Sequence, residues 1–176
     1  MNCVFNCEYC YLKGMYPSAN LVVFVNLEDL FEEVEHMLCR HPVYLCVSYD
    51  TDLLALEHLL GYTRSWMDFT GAHENLTIEV RTKSAGGEFF RQQTAAERVV
   101  FAFTISPQAV IDRYEHGTPG LAQRIACVQT ALEAGFQVRL CFDPMIYCAD
   151  WKQEYGSMMK QILNGVDMSK DRKSTR

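Results

Sequence analysis

Short apolar runs alternate with amphipathic stretches along the chain. Val43 to Val47, Leu76 to Val80, Val99 to Ile105 and Val138 to Phe142 are near-continuous apolar segments of strand length. That is the pattern of strands buried on both faces, as in a parallel sheet. Between them the spacing changes. Leu27, Leu30, Phe31, Val34 and Met37/Leu38 recur at helical intervals, with Asn26 as a capping residue, Asp29 as its capping-box partner and Pro42 as a stop. Thr51 or Asp52 can cap a second helix, carrying Leu53, Leu54, Leu56, Leu59 and Leu60 and ending at Gly61. Ser106-Pro107 and Thr118-Pro119 each read as a helix start with proline in the first turn. The second of these helices runs to Ala134, with Gly135 as its left-handed stop. A last helix is expected from about Ala149 to Leu163. Leu21 to Val25 is one further apolar run.

Four strands alternating with helices predict an α/β fold with a parallel sheet covered by helices. Four are too few to close an eight-stranded barrel, so the pattern fits a partial, open β/α barrel. In such folds chemistry gathers at the C-terminal ends of the strands. The residues there are Ser48 to Asp52, Thr82 to Ser84, Thr104 to Ser106 and Asp143-Pro144, a polar set. An open sheet also leaves edges exposed, which predicts poor solubility.

Composition narrows the function classes. The chain has 176 residues, 49% of them hydrophobic and 22% charged, enough for one domain with a packed core. Net charge is −6, which argues against a bulk electrostatic nucleic-acid binder while allowing a local basic groove. Apolar runs of about eight residues or fewer are too short to span a bilayer. No signal-peptide pattern opens the chain, so a cytoplasmic location without membrane attachment is expected. The tail from 164 to 176 is polar and basic, and reads as disordered beyond a domain spanning 1–163.

The chain has eight cysteines. Cys3, Cys7 and Cys10 fall within one short loop, spaced C-x3-C-x2-C, and the other five are scattered. A tight cysteine cluster in a reducing compartment favours metal over disulfide. Zinc would need a distant fourth ligand such as His36 or Cys39. An iron–sulfur cluster held by three thiolates would keep one iron open for a substrate or cofactor. Cys39, Cys127, Cys141 and Cys148 read as small core residues, and the five histidines show no metal-ligand spacing.

Cys3-Val4-Phe5-Asn6-Cys7-Glu8-Tyr9-Cys10, followed by a strand–helix alternation, resembles the signature of the radical S-adenosylmethionine (SAM) superfamily. The closer resemblance is to the spore photoproduct lyase family. Cys7-Glu8-Tyr9-Cys10-Tyr11-Leu12 resembles its Cys-x-Tyr-Cys-Tyr-Leu motif, and Val25-Asn26-Leu27-Glu28 its Val-Asn-Val-Glu segment. Ser48-Tyr49-Asp50-Thr51-Asp52 lies where the family has Ser-Cys-Thr-Ser-Asp. Thr82-Lys83, Phe103-Thr104-Ile105-Ser106 and Glu115-His116-Gly117-Thr118-Pro119 match further family segments.

The resemblance implies a radical SAM barrel, incomplete at both ends because family members are about twice this long, with Leu21 to Val25 extended outside the sheet. It implies that Cys3, Cys7 and Cys10 bind a [4Fe-4S] cluster whose open iron is chelated by SAM. Flavodoxin or ferredoxin would serve as reductant. The implied substrate is damaged DNA carrying a thymine dimer lesion, reverted to two thymines by a 5′-deoxyadenosyl radical that abstracts hydrogen from the dihydrothymine half. Tyr9 would lie against the SAM adenine, Lys83 would pair with the SAM carboxylate, and Tyr11 resembles a tyrosine of the family's radical relay. Thr51 and Asp52 could meet the SAM amino group or ribose, and Thr104 and Ser106 its ribose or carboxylate. Thr51, Asp52 and Ser106 are equally good helix caps. Tyr49 occupies the place of the cysteine that returns a hydrogen atom to the product radical, and a phenol could do the same. That replacement keeps open two alternatives: a radical SAM enzyme with a different substrate, and an inactive cluster-binding fragment.

Overall fold

The computed structural model describes residues 2–167; of the tail expected from 164 to 176, Asn164 and Gly165 still belong to the last helix and residues 168–176 lie outside the described residues. In chain order the elements are β1 (Asn6–Cys7), α1 (Leu12–Met15), α2 (Leu27–Leu38), β2 (Val43–Cys46), α3 (Leu53–Leu60), α4 (Tyr62–Gly71), β3 (Leu76–Thr82), α5 (Gly87–Gln92), β4 (Val99–Thr104), α6 (Gln108–Tyr114), β5 (Glu115–His116), α7 (Leu121–Glu133), β6 (Gln137–Cys141) and α8 (Trp151–Gly165). Four strands pair in parallel in the order β2-β3-β4-β6, and no described strand closes the sheet across β2 and β6. This is the open, partial β/α barrel expected from the alternation. Among the described residues, the outer edges of β2 and β6 carry no strand partner.

The register divides the sheet into two unlike faces. Val43, Leu45, Ile78, Val80, Val99, Phe101, Phe103, Val138 and Leu140 share the face covered by helices and belong to or pack on the hydrophobic core. Phe90 of α5 sits edge-on to Phe101, with centroids 4.8 Å apart, and Phe136 closes the cluster at 5.4 Å from Phe101. The opposite face carries Tyr44, Cys46, Glu79, Arg81, Thr104, Arg139 and Cys141. β2 therefore alternates half-buried and exposed, and is not the fully buried strand expected from its apolar composition. It is an edge strand, and Tyr44 and Cys46 lie on the face without helices. Cys141, on the same face, is buried yet lies outside the apolar core, and Cys39 is exposed because it follows the last turn of α2. Cys148 is half-buried and also outside that core, whereas Cys127 belongs to it.

Several helix starts differ from expectation. The Asn26 side chain donates to Asp29 Oδ2 at 2.6 Å instead of capping backbone amides. Pro107 is itself the residue before α6, and the Ser106 hydroxyl turns away to Glu115. α7 begins at Leu121, where the Gly120 amide donates to Gln123 Oε1 at 2.9 Å. α3 follows the sequence reading: Asp52 accepts from the Ala55 amide at 3.0 Å, and Gly61 is left-handed at φ 67°. α4 was not legible as an apolar helix. Its buried positions, Thr63, Trp66, Met67 and Thr70, keep helical spacing, but two are threonines. Glu57 of α3 caps it, accepting the Thr63 amide at 2.7 Å.

Candidate functional site

The C-terminal ends of β2, β3 and β4 meet the cysteine loop around a cavity of about 400 Å3. Its lining includes Cys3, Cys7 and Cys10 from the loop, together with Tyr9, Tyr11 and Phe5. The sheet side contributes Ser48, Tyr49, Thr51, Asp52, Thr82, Lys83 and Thr104, and Arg81 and Asp143 complete the rim. The residues given a cluster, SAM or radical role from the sequence all line this one cavity except Ser106, which is buried away from it; His36 and Cys39, the distant candidates for a zinc ligand, do not line it either.

Cys7 is buried in β1, which pairs antiparallel with β5 opposite Glu115. Cys10 turns back onto it, its amide donating to the Cys7 carbonyl at 3.2 Å. Burial pushes the Cys3 thiol up to about 11 and also raises Cys7, where nearby Lys83 acts in the opposite direction. A metal or cluster would have to displace those protons. Among the described residues, no group of three His, Cys, Asp or Glu side chains is gathered as a metal-binding set. The three cysteines line one half-open cavity, and their thiols are the soft donors that iron–sulfur clusters take. In donor type they fit a three-thiolate cluster.

Tyr9 points its hydroxyl away from the cavity, donating to Glu115 Oε1 at 2.5 Å. Its ring lies under the Lys83 ammonium, 5.7 Å from the centroid, within cation–π range. Burial, and then the bond to Glu115, push the Tyr9 phenol far above its ordinary range. Tyr11 and Tyr49 come together at the rim with centroids 6.1 Å apart, and the Tyr11 hydroxyl donates to Asp50 Oδ1 at 2.7 Å. Asp52 is buried, with Thr82, the Lys83 amide and the Ala55 amide on its oxygens. Burial raises its carboxyl, against the pull of those hydrogen bonds. Thr104 lies on the open face beside Cys141, and its carbonyl accepts from Arg124.

Two groups went unread in the sequence. One is the buried Glu115–Arg124 pair behind Tyr9. The other is Glu79, nearly inaccessible on the open face, which accepts from Tyr44 at 2.6 Å, Arg81 at 3.0 Å and the Arg139 guanidinium. Desolvation would raise Glu79, but these donors outweigh it and hold the carboxyl below its ordinary value. Tyr44 is pushed up to about 12 by desolvation and by its bond to Glu79. The lone charged residues have no telling neighbours in sequence. Glu79 carried one signal, a charge between Ile78 and Val80 in a buried strand, and Glu115 and Arg124 carried none as a pair.

The sequence model of the family described as spore photoproduct lyase matches residues 1–175. The chain belongs to the spore photoproduct lyase family. Among curated relatives, the spore photoproduct lyase of a Geobacillus species is 23% identical over 174 residues, covering 95% of this chain and 51% of the relative. That of Clostridium acetobutylicum is 25% identical over 165 residues, covering 90% and 48%. The chain thus spans about half the length of the curated relatives it matches. A solved spore photoproduct lyase variant with bound AdoMet and dinucleoside spore photoproduct superposes with a TM-score of 0.87 at 21% identity, covering 94% of this chain and 50% of that one. A second, complexed with dinucleoside spore photoproduct, gives the same TM-score. These likenesses establish the radical SAM type of open barrel for this member of the spore photoproduct lyase family. No helix among the described residues is long and apolar enough to cross a membrane.

Proposed function

We propose that the chain is the cofactor-holding part of a radical SAM enzyme, with Cys3, Cys7 and Cys10 as ligands of a [4Fe-4S] cluster and SAM as the second cofactor. The observation that carries this is the convergence of the three thiols, Tyr9 and Lys83 on one cavity at the strand ends. When bound and reduced, such a cluster supplies the electron that cleaves SAM to a 5′-deoxyadenosyl radical. The chain's own residues bind. Lys83 offers a cation to a carboxylate. The Tyr9 ring gives an apolar face, fixed by its hydroxyl bond. Thr51 and Thr104 add hydroxyls on the cavity wall.

The substrate reading divides on Tyr49. Reversal of a thymine dimer lesion in DNA is what family membership suggests, and flavodoxin or ferredoxin would then be the reductant. Tyr49, where the family has its hydrogen-donating cysteine, supports a radical SAM enzyme of another substrate. The half-length match supports the further alternative of a cluster-binding fragment without turnover. The test is anaerobic reconstitution with iron and sulfide, then reduction and addition of SAM and dinucleoside spore photoproduct, for the wild type and Tyr49→Cys. Lesion loss with the wild type supports repair by this chain. Lesion loss with Tyr49→Cys alone argues against a changed substrate, since the lesion is then still bound and only the hydrogen donor was missing; SAM cleaved without lesion loss in either protein supports one. Iron bound without any loss of lesion or SAM in either protein supports the fragment.

A further inference from the structure

Glu115 and Arg124 lie outside the cavity, and the reading above uses Glu115 only as the acceptor of the Tyr9 hydroxyl, yet the two form a heavily bonded group beside it. Arg124 Nη2 lies 2.5 Å from Glu115 Oε2, and both side chains are fully buried. The rest of the guanidinium is satisfied by the Pro119 carbonyl at 2.9 Å, the Thr104 carbonyl at 3.1 Å and the Thr118 hydroxyl at 2.7 Å. The second carboxylate oxygen takes the Ser106 hydroxyl at 2.7 Å and the Tyr9 hydroxyl at 2.5 Å. A buried ion pair is tolerated when its remaining protons and lone pairs are satisfied in this way.

All these partners except Tyr9 come from the stretch between the end of β4 and α7. Tyr9 comes from the cysteine loop, 106 residues away, between Cys7 and Cys10. The same place is reinforced at the backbone. Cys7 pairs with Glu115, and the Glu8 amide donates to the Tyr114 carbonyl at 2.8 Å. Outside these, Glu8 and His116 pair at 2.7 Å on the surface.

We infer that the Glu115–Arg124 pair is the positioning element of the cysteine loop: Arg124 orients the Glu115 carboxylate, and Glu115 holds Tyr9 by its hydroxyl, so that the Cys7–Cys10 turn is fixed against the end of β4. Neither residue touches the cavity, so both act through Tyr9. The purpose assigned to the loop rests on the proposed cofactor reading, but the anchoring itself does not.

The test uses the metal-free full chain and amide hydrogen exchange. Tyr9→Phe and Glu115→Ala should each speed exchange in residues 6–10 about tenfold, with the β3 and β4 amides unchanged. Combining the two should add nothing further, since both remove one link. Glu115→Gln keeps an acceptor for Tyr9 and should restore part of the protection. Unaltered loop exchange in Tyr9→Phe would overturn the inference, as would equal loosening of loop and sheet. Should Glu115→Ala fail to fold with Arg124 left unpaired, Tyr9→Phe keeps the ion pair and decides the matter. Iron content after reconstitution separates the two readings. A loop that loosens in Tyr9→Phe, in a protein whose wild type binds no iron, would uphold the anchor and reject the cofactor.

Discussion

The Asp52 carboxylate holds the Thr82 hydroxyl with both of its oxygens, at 2.8 and 3.0 Å. One of them also accepts the Lys83 amide at 2.7 Å, and the other caps α3 through the Ala55 amide. One buried side chain thus ties the end of β3 to the start of α3 and sets the backbone from which Lys83 reaches over Tyr9. Asp52→Ala should destabilise the chain by about 2–4 kcal/mol, since it leaves several buried donors unmade. Thr82→Val should cost about 1–2 kcal/mol. Because the two share a contact, the double variant should cost less than the sum in urea unfolding.

Glu79 sets an acid limit on stability. Its folded carboxyl lies below the ordinary value of 4.5 because Tyr44, Arg81 and Arg139 outweigh its desolvation. A lowered folded pKa means that the unfolded chain takes up protons first as pH falls. The contribution is therefore complete above the ordinary carboxylate range and is lost as pH drops through the folded value. Unfolding free energy measured from about pH 6 to pH 3 should fall less steeply in Glu79→Gln than in the wild type.

The last helix offers a paired test of packing. A Cβ built on Gly165 would meet Ile125 Cγ2 at 2.6 Å, whereas one on Gly156 has nothing within 4 Å. Gly165→Ala should destabilise by about 1–3 kcal/mol, because α7 must shift. Gly156→Ala should stabilise by up to about 1 kcal/mol through helix propensity. Thermal unfolding of the two variants should move in opposite directions.

The cysteines separate by place. Replacing Cys3, Cys7 or Cys10 with alanine should abolish or sharply reduce iron and sulfide bound after anaerobic reconstitution. Cys127→Ala, in the core, and Cys141→Ala, on the open face, should keep wild-type content per folded chain. Cys127→Ala should still lose some stability, about 1 kcal/mol, because it removes a buried side chain.

Much of this architecture was legible because apolar runs and helical spacing agree with what the sheet buries. The four parallel strands and α2, α3, α7 and α8 follow from residues such as Ile78, Phe101 and Val128. The cavity-lining loop was legible because three cysteines at fixed spacing are rare by chance. What escaped were features that depend on partners remote in sequence. α4 hides behind Thr63 and Thr70, which read as polar but are buried. The Asn26 and Ser106 side chains look like caps, yet each donates to a carboxylate, Asp29 and Glu115, instead of accepting a backbone amide. The anchor of Tyr9 needs Glu115 and Arg124, single charges whose meaning appears only when β5 meets the cysteine loop.

The central claim is that Cys3, Cys7 and Cys10 hold a cluster that turns over SAM. The most direct measurement is 5′-deoxyadenosine formed by the reconstituted, reduced chain given SAM under anaerobic conditions, with Cys7→Ala in parallel. The nucleoside should form with the wild-type chain and not with Cys7→Ala. A wild-type chain that binds its full iron and sulfide and yields none, or a Cys7→Ala chain that yields as much as the wild type, would contradict the claim.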